Sequence, residues 1–310
     1  MKTSSIIIFG YDELLLASID FFEQSDSKIA AVVVPSNRKD PRAMQVRELV
    51  EQKGLVTLEQ PSKKDSDKFL TRLRELKPDV IFVWSYPMIL RQEIIDIPKN
   101  AAVNLHFGLL PEYRGVNGIR WALLNGESTT GVTLHYIDSG IDTGDIIARV
   151  SFPIEPPDDI RSLMIKSRTA GLHVLKQCWT AVETGNVTAT PQNESKAAYY
   201  SAAMNPSEIV DWSKPALQIH NLIRASVAPL PGVYSLVGGK KIKFKRSIVT
   251  DRPTGEFCPG TVIEVNQMGI TVATFDEALL ITEAEYDGNP VAKHELASLG
   301  LSSGKVLENE

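Results

Sequence analysis

The sequence predicts an α/β protein in which a doubly wound parallel sheet is followed by a small β-barrel. Three observations carry that expectation. Across residues 5–84, short β-branched runs alternate with segments of helical apolar spacing, the pattern of parallel strands covered by helices. Residues 186–206 are polar and include Thr188, Thr190, Pro191, Gln192 and Asn193, a composition that reads as an exposed linker. Beyond it lie short strands separated by Gly-containing turns, as in a small barrel. At 310 residues the chain exceeds the usual single-domain size. The boundary is placed near Asn205, giving domains of residues 1–205 and 206–310.

Residues 5–9 form a β-branched run closed by Gly10, and residues 14–22 carry apolar side chains at helical spacing, so the chain opens with a strand, a turn and a helix. Residues 28–34 read as the next strand, 44–53 as a helix stopped by Gly54, 69–76 as another helix and 79–84 as a buried strand. Because the first turn holds Gly10 alone rather than three spaced glycines, the dinucleotide fingerprint is missing and NAD is not expected. The apolar run from Ala101 leads to a strand end at Asn104 and His106. Residues 118–125 predict a helix ended by Gly126, and 131–136 and 146–152 predict strands. Leu172, Leu175, Trp179 and Val182 make the packing stripe of a helix that Gly185 ends. In the second half Ala216, Ile219, Leu222 and Ile223 mark a helix, and strands are expected at 233–237, 241–248, 261–265, 270–274 and 279–285.

Composition narrows the class. The chain is 43% hydrophobic and 23% charged with a net charge of −5, so it can bury a sizeable core but offers no global attraction to nucleic acid or an anionic membrane. No apolar run approaches a membrane span, and the apolar opening is followed at once by Tyr11, Asp12 and Glu13, so a cytoplasmic protein is expected. Cys178 and Cys258 lie far apart without a ligand-spaced partner, which predicts no disulfide framework and no metal site. Both are read as small buried hydrophobes.

The chemistry-bearing residues concentrate between Val103 and Asp145. Asn104 and His106 stand two apart at a strand end and so share a face, where a doubly wound sheet places its ligand. An amide donor beside an imidazole can polarise a carbonyl and manage a proton. Asp142 returns from a loop between two strands, flanked by Gly140 and Gly144, and could fix or charge the imidazole. This set fits acyl transfer without a covalent nucleophile. Taken singly, a strand-end histidine such as His106 is more often a hydrogen-bonded structural residue, and Asp142 reads as a turn cap.

The surroundings decide between these readings. Leu109-Leu110-Pro111, Tyr113-Arg114-Gly115, Gly131-Val132-Thr133 and Asp142-Thr143-Gly144-Asp145 follow one another in the order and spacing of the folate-dependent formyltransferases, which the chain resembles over nearly its full length. The resemblance implies a Rossmann-like catalytic domain with an oligonucleotide-binding-like barrel after it. It also implies catalysis by Asn104, His106 and Asp142, with 10-formyltetrahydrofolate as co-substrate and no metal. Folate contacts are expected from the backbone around Trp84, Met88, Ile89 and Leu90 and from the Leu109-Leu110-Pro111 turn.

For the acceptor, the sequence most resembles the formyltransferase domain of the enzyme acting on UDP-4-amino-4-deoxy-L-arabinose. That likeness extends into Pro157-Asp158-Asp159-Ile160, Lys214-Pro215-Ala216, His220-Asn221, Pro231-Gly232, Val237-Gly238 and Leu299-Gly300-Leu301. A nucleotide-linked amino sugar is therefore the expected partner, with Arg114 and Asn117 lining the acceptor side. Where that enzyme and the methionyl-tRNA formyltransferases have Ala-Pro, this chain has Asn117-Gly118, and its Asp142 loop is more like the tRNA branch. Methionyl-tRNA formylation is the leading alternative, but the long basic insertion that the tRNA branch carries after the second strand is missing. A basic run at residues 240–246 leaves phosphate contact open, although Ile242 and Phe244 fit an ordinary strand with an inward face. Another small amine such as a hydroxylated ornithine, a formyltetrahydrofolate hydrolase and an inactive folate- or nucleotide-binding module are further alternatives.

Overall fold

A computed structural model describes residues 3–61, 66–291, 295 and 301–308. The first compact unit contains residues 1–118, 131–152 and 166–200, and the second contains 119–130, 153–165 and 201–310.

The chain begins β1 (Ser5–Phe9), α1 (Glu13–Glu23), β2 (Lys28–Pro35), α2 (Pro41–Gln52), β3 (Thr57–Gln60), α3 (Ser66–Glu75), β4 (Val80–Trp84), α4 (Gln92–Ile95) and β5 (Ala101–His106). Two helix starts are set by sequence chemistry. Asp12 caps α1 by accepting from the Leu14 N–H, and Asp40 caps α2 by accepting from Ala43 with Pro41 in the first turn. Then follow β6 (Arg114–Gly115), α5 (Gly118–Leu124), β7 (Thr129–Tyr136), β8 (Ile146–Pro153), α6 (Ile160–Thr184) and β9 (Tyr199–Tyr200).

Seven strands form the main sheet in the order β3-β2-β1-β4-β5-β7-β8. The expected Rossmann-like α/β architecture is present, with β3, β2, β1, β4 and β5 parallel. β7 departs from the all-parallel expectation by running antiparallel to β5. Strand periodicity sorts the core: Ile6 and Ile8 enter one cluster with Leu15, Phe22 and Trp179, whereas Ile7 and Phe9 enter another with Phe69, Leu73 and Ile94. A sheet buried on both faces needs apolar residues at successive positions, which is what the β1 and β4 sequences supply. Sequence reading missed β3, whose four residues include only one large apolar side chain.

Two further expectations are corrected. Residues 186–206 are exposed or half-buried as expected but are not structureless, because β9 pairs in parallel with β6 and two short 3-10 turns flank it. Cys258 is exposed and Cys178 is half-buried, so neither is a core residue. Cys258 lies in the turn between two strands, and Cys178 on the flank of α6 rather than on its Leu175–Trp179 packing stripe.

The second unit gathers α5 with α7 (Ala216–Arg224), β10 (Val233–Val237), β11 (Lys240–Pro253), β12 (Val262–Asn266), β13 (Gly269–Ala273), β14 (Glu277–Tyr286) and β15 (Asn289–Val291). Its antiparallel sheet has the order β10-β11-β14-β13-β12, with β15 on β14. The final described residues join the two edges: Glu308 bridges Leu236 on β10, and Val306 bridges Thr261 beside β12. This gives the sheet a barrel-like closure. Leu299 and Gly300 of the C-terminal resemblance lie outside the described residues. No described helix is long and apolar enough to cross a membrane.

Phe22 joins α1 to the sheet and to α6, with ring centroids 5.2 Å from Phe82 and 4.6 Å from Trp179. Phe22→Ala should destabilise the first unit by about 3–5 kcal/mol through lost burial and a residual cavity. Urea unfolding followed by tryptophan fluorescence measures this, and a loss below about 1 kcal/mol would contradict the packing assignment.

Candidate active site

Strand pairing assembles the site. Along the β5–β7 ladder Asn104 lies opposite His135 and His106 opposite Thr133. Directly paired residues share a face, so His135 joins Asn104 and His106, while Val103, Leu105 and Leu134 point into the core. Asp142 comes from the β7–β8 loop with φ 53°, a left-handed conformation that Asp tolerates better than most residues. The three residues singled out from sequence are thus brought together, with a fourth that was not.

Hydrogen bonds fix the tautomers. His106 Nε2 lies 2.6 Å from the Tyr113 carbonyl and so donates to it. Nδ1 of the same ring faces Asp142 Oδ2 at 3.5 Å. His135 uses Nδ1–H to donate to the Tyr136 carbonyl at 2.7 Å, leaving Nε2 to accept from Asn104 Nδ2 at 3.1 Å. The second Asn104 hydrogen points at Asp142 Oδ1 across a long 3.4 Å, a contact weak enough to be exchanged for a ligand atom. The Gly115 N–H donates to Asp142 Oδ2 at 2.8 Å.

The electrostatics follow from burial. Removal from water pushes the His106 pKa below its ordinary 6.5, against the opposing pull of Asp142. Burial alone would raise the Asp142 carboxyl, but the attraction of the His106 and His135 rings in their protonated forms and the Gly115 N–H outweigh it and hold the group well below the usual carboxylate range. At neutral pH the site therefore holds a carboxylate facing the open nitrogen of a neutral imidazole. A proton delivered there would create an imidazolium bridging the Tyr113 carbonyl and Asp142.

A formyl transferase family model matches residues 2–178, and a formyl transferase C-terminal domain model matches residues 205–298. The chain belongs to the folate-dependent formyltransferase family. It is 33% identical to a methionyl-tRNA formyltransferase of Acetivibrio thermocellus over 92% of each chain. It is 34% identical to that of Caldanaerobacter subterraneus subsp. tengcongensis, over 92% of this chain and 93% of the relative. Among solved structures, the sugar 3N-formyl transferase WlaRD, crystallised with dTDP and 5-N-formyl-THF, shares the fold with a TM-score of 0.69 at 22% identity. That match covers 91% of this chain and 98% of WlaRD. An N-formyltransferase of Helicobacter canadensis in complex with folinic acid and dTDP-3-aminofucose gives 0.68 at 22% identity, covering 91% and 99%. Formyl transfer is the chemistry of this enzyme.

Other sequence-predicted contacts are redistributed. Arg114 does not line an open acceptor site: its side chain is 0% exposed and its hydrogens go to Gln192, Glu194 and Tyr199. The physical reason is saturation, since a guanidinium already engaged on both edges has no fork left for a substrate. Trp84, Leu90 and Leu110 are buried in packed interior, so any ligand contact there must come from backbone. Met88 and Leu109 are half-buried and Ile89 is 74% exposed, leaving apolar surface beside the strand ends. Pro111 is buried, and its carbonyl accepts from the Ala198 N–H. Asn117 is exposed with φ 61°.

Sequence reading missed His135 and Gln192. His135 carried a usable signal: it is an imidazole two residues from Thr133, and so on the same face, of the strand that follows the catalytic motif. Gln192 carried none, because it sits in a polar stretch.

Histidine NMR titration should place the His106 midpoint below 6.5, and Asp142→Asn should lower it further by removing the charge that opposes desolvation. The sign of the activity profile follows: the imidazole loses its proton as pH rises through that depressed midpoint, so the acid limb of kcat should also fall below 6.5. A midpoint above the ordinary value would refute the burial argument.

Proposed function

We propose that this enzyme transfers the formyl group of 10-formyltetrahydrofolate to the amine of a nucleotide-linked amino sugar, through Asn104, His106 and Asp142. The amine attacks the formyl carbon, and the carbonyl oxygen gains negative charge. Asn104 turns its weakly held N–H from Asp142 to that oxygen. The amine proton passes to the His106–Asp142 pair as the new C–N bond forms. Breaking the bond to folate N10 then returns the proton to that nitrogen, so the charge on the site is restored. Because the His106 Nε2–H is occupied by the Tyr113 carbonyl, His106 serves in this scheme as the proton acceptor and Asn104 as the oxyanion donor. Folate would lie along the strand ends with Met88, Ile89 and Leu109 flanking the pterin.

The observation that carries the choice of acceptor is that three of the five basic residues at 240–246 on β11 are paired with carboxylates of the same sheet and its turn. Lys240 pairs with Asp287, Lys245 with Glu285 and Arg246 with Glu283, while Lys241 lies over the Tyr234 ring. A surface answered by its own carboxylates gains little from displacing the counterions of a polyanion. On α2, beyond the short segment after β2, Arg42 pairs with Glu13 and Arg47 with Glu51 and Glu59, while Arg38 of the segment lies over the Tyr11 ring. Next to that segment a cavity of about 400 Å³, lined by Tyr11, Arg38, Lys39 and Met44 and also by Glu48, Glu51 and Glu59, is of a size that suits a small ligand. Relatives in fold that bind dTDP or a dTDP-amino sugar support this reading. Formylation of initiator tRNA is the second reading, supported by the methionyl-tRNA formyltransferases among its relatives.

Tetrahydrofolate release should be followed with nucleotide amino sugars, free amino acids and charged initiator tRNA as acceptors. Turnover is expected with a nucleotide amino sugar and should be indifferent to replacing the basic residues of 240–246 by Gln. Efficient tRNA formylation that those replacements abolish, with sugars inert, would establish the second reading instead. Asn104→Ala should lower kcat about a hundred- to a thousandfold with little change in unfolding midpoint, the usual cost of one oxyanion donor. Near-normal turnover in that variant would remove Asn104 from the mechanism.

A further inference from the structure

We propose that Gln192 is the positioning residue for Asp142, with Arg114 holding Gln192 in turn. The inference rests on the catalytic reading of Asp142. Gln192 Nε2 donates one hydrogen to the Asp142 carbonyl at 2.8 Å and the other to the Gly144 carbonyl at 2.7 Å. An amide nitrogen has two hydrogens, so its donor capacity is spent on this loop. Gln192 Oε1 accepts from Arg114 Nε at 3.1 Å and Nη2 at 2.9 Å. Turning the amide over would set its hydrogens against the guanidinium and its oxygen against two carbonyls. The Gln192 orientation is therefore determined from both ends.

Arg114 is itself immobilised. Glu194 accepts from Nη1 at 2.9 Å and Nη2 at 2.6 Å, and the Tyr199 hydroxyl accepts from Nη1 at 2.5 Å. The β6–β9 pairing keeps the strands that carry Arg114 and Tyr199 in register. At the other end, Gly144 packs so closely on the Tyr136 carbonyl that a Cβ there would overlap it, so the loop has one seat. The grip on the Asp142 and Gly144 carbonyls holds the left-handed backbone, and the Gly115 N–H fixes the carboxylate. Backbone and side chain of Asp142 are thus set by separate donors, which brings Oδ2 opposite His106 Nδ1 at 3.5 Å.

Two variants, each carried through a double-mutant cycle, test this. Gln192→Glu keeps the acceptor for Arg114 but replaces the loop donors by an oxygen, and Gln192→Leu removes both arms. Each should lower kcat by about tenfold to a hundredfold, the scale of a small misplacement of a catalytic group, with KM for both substrates nearly unchanged. In an Asp142→Asn background the same changes should cost little, because the group they position no longer supplies its charge. A merely structural role would lower the unfolding midpoint and raise KM, and would cost as much in either background. Equal cost in both backgrounds, or wild-type kcat in Gln192→Glu, overturns the inference. Full turnover by Asp142→Asn alone would instead overturn the catalytic reading beneath it.

Discussion

Asp142 holds a negative charge in a largely covered site, and its surroundings are arranged to offset that cost. An unpaired carboxylate there would take up a proton, since desolvation disfavours the charged form. The Gly115 N–H donates to it instead, the Asn104 amide points at it across 3.4 Å, and the two imidazole rings stand 3.5 Å away, each able to pair with it once protonated. The same carboxylate opposes the effect of burial on His106, so one group sets the proton affinity of the other. Asp142 meets these partners from a left-handed backbone in the loop between β7 and β8.

The sheet supplies the remainder of the geometry. Ending the parallel strands with an antiparallel β7 places His135 beside Asn104, which no helix-connected parallel strand from a distant part of the chain had to provide. Each ring then uses one nitrogen on a backbone carbonyl and turns the other inward. These carbonyl contacts fix which nitrogen carries the hydrogen, and so divide the work between a proton-accepting His106 and an acceptor His135 that orients Asn104.

The motif Tyr113-Arg114-Gly115 serves the site from behind. Tyr113 provides its carbonyl, Gly115 its N–H, and Arg114 a buried guanidinium that ties residues 192–199 to the same strand. A sequence run that looks like a substrate loop is thus mainly a scaffold for two other side chains. On β11 the alternation of basic residues with Ile242 and Phe244 likewise resolves into an inward apolar face and an outward charged face answered by β14 and the turn after it.

What the sequence by itself determined is local. Continuous apolar runs specify strands buried on two faces, segments of helical apolar spacing specify the covering helices, and the Asn104-x-His106 spacing puts two polar groups on one face. The family motifs carry the chemistry, and the helix stripe of Leu175 and Trp179 is legible from spacing alone. The tertiary structure decided what depends on distant pairings: the opposition of His135 to Asn104, the reversal of β7, the burial of Arg114 and the grip of Gln192 on the Asp142 loop. A polar side chain in a polar stretch gives no periodic signal. Its role is defined by the partners that satisfy its hydrogen bonds, and those lie 48 to 78 residues away along the chain.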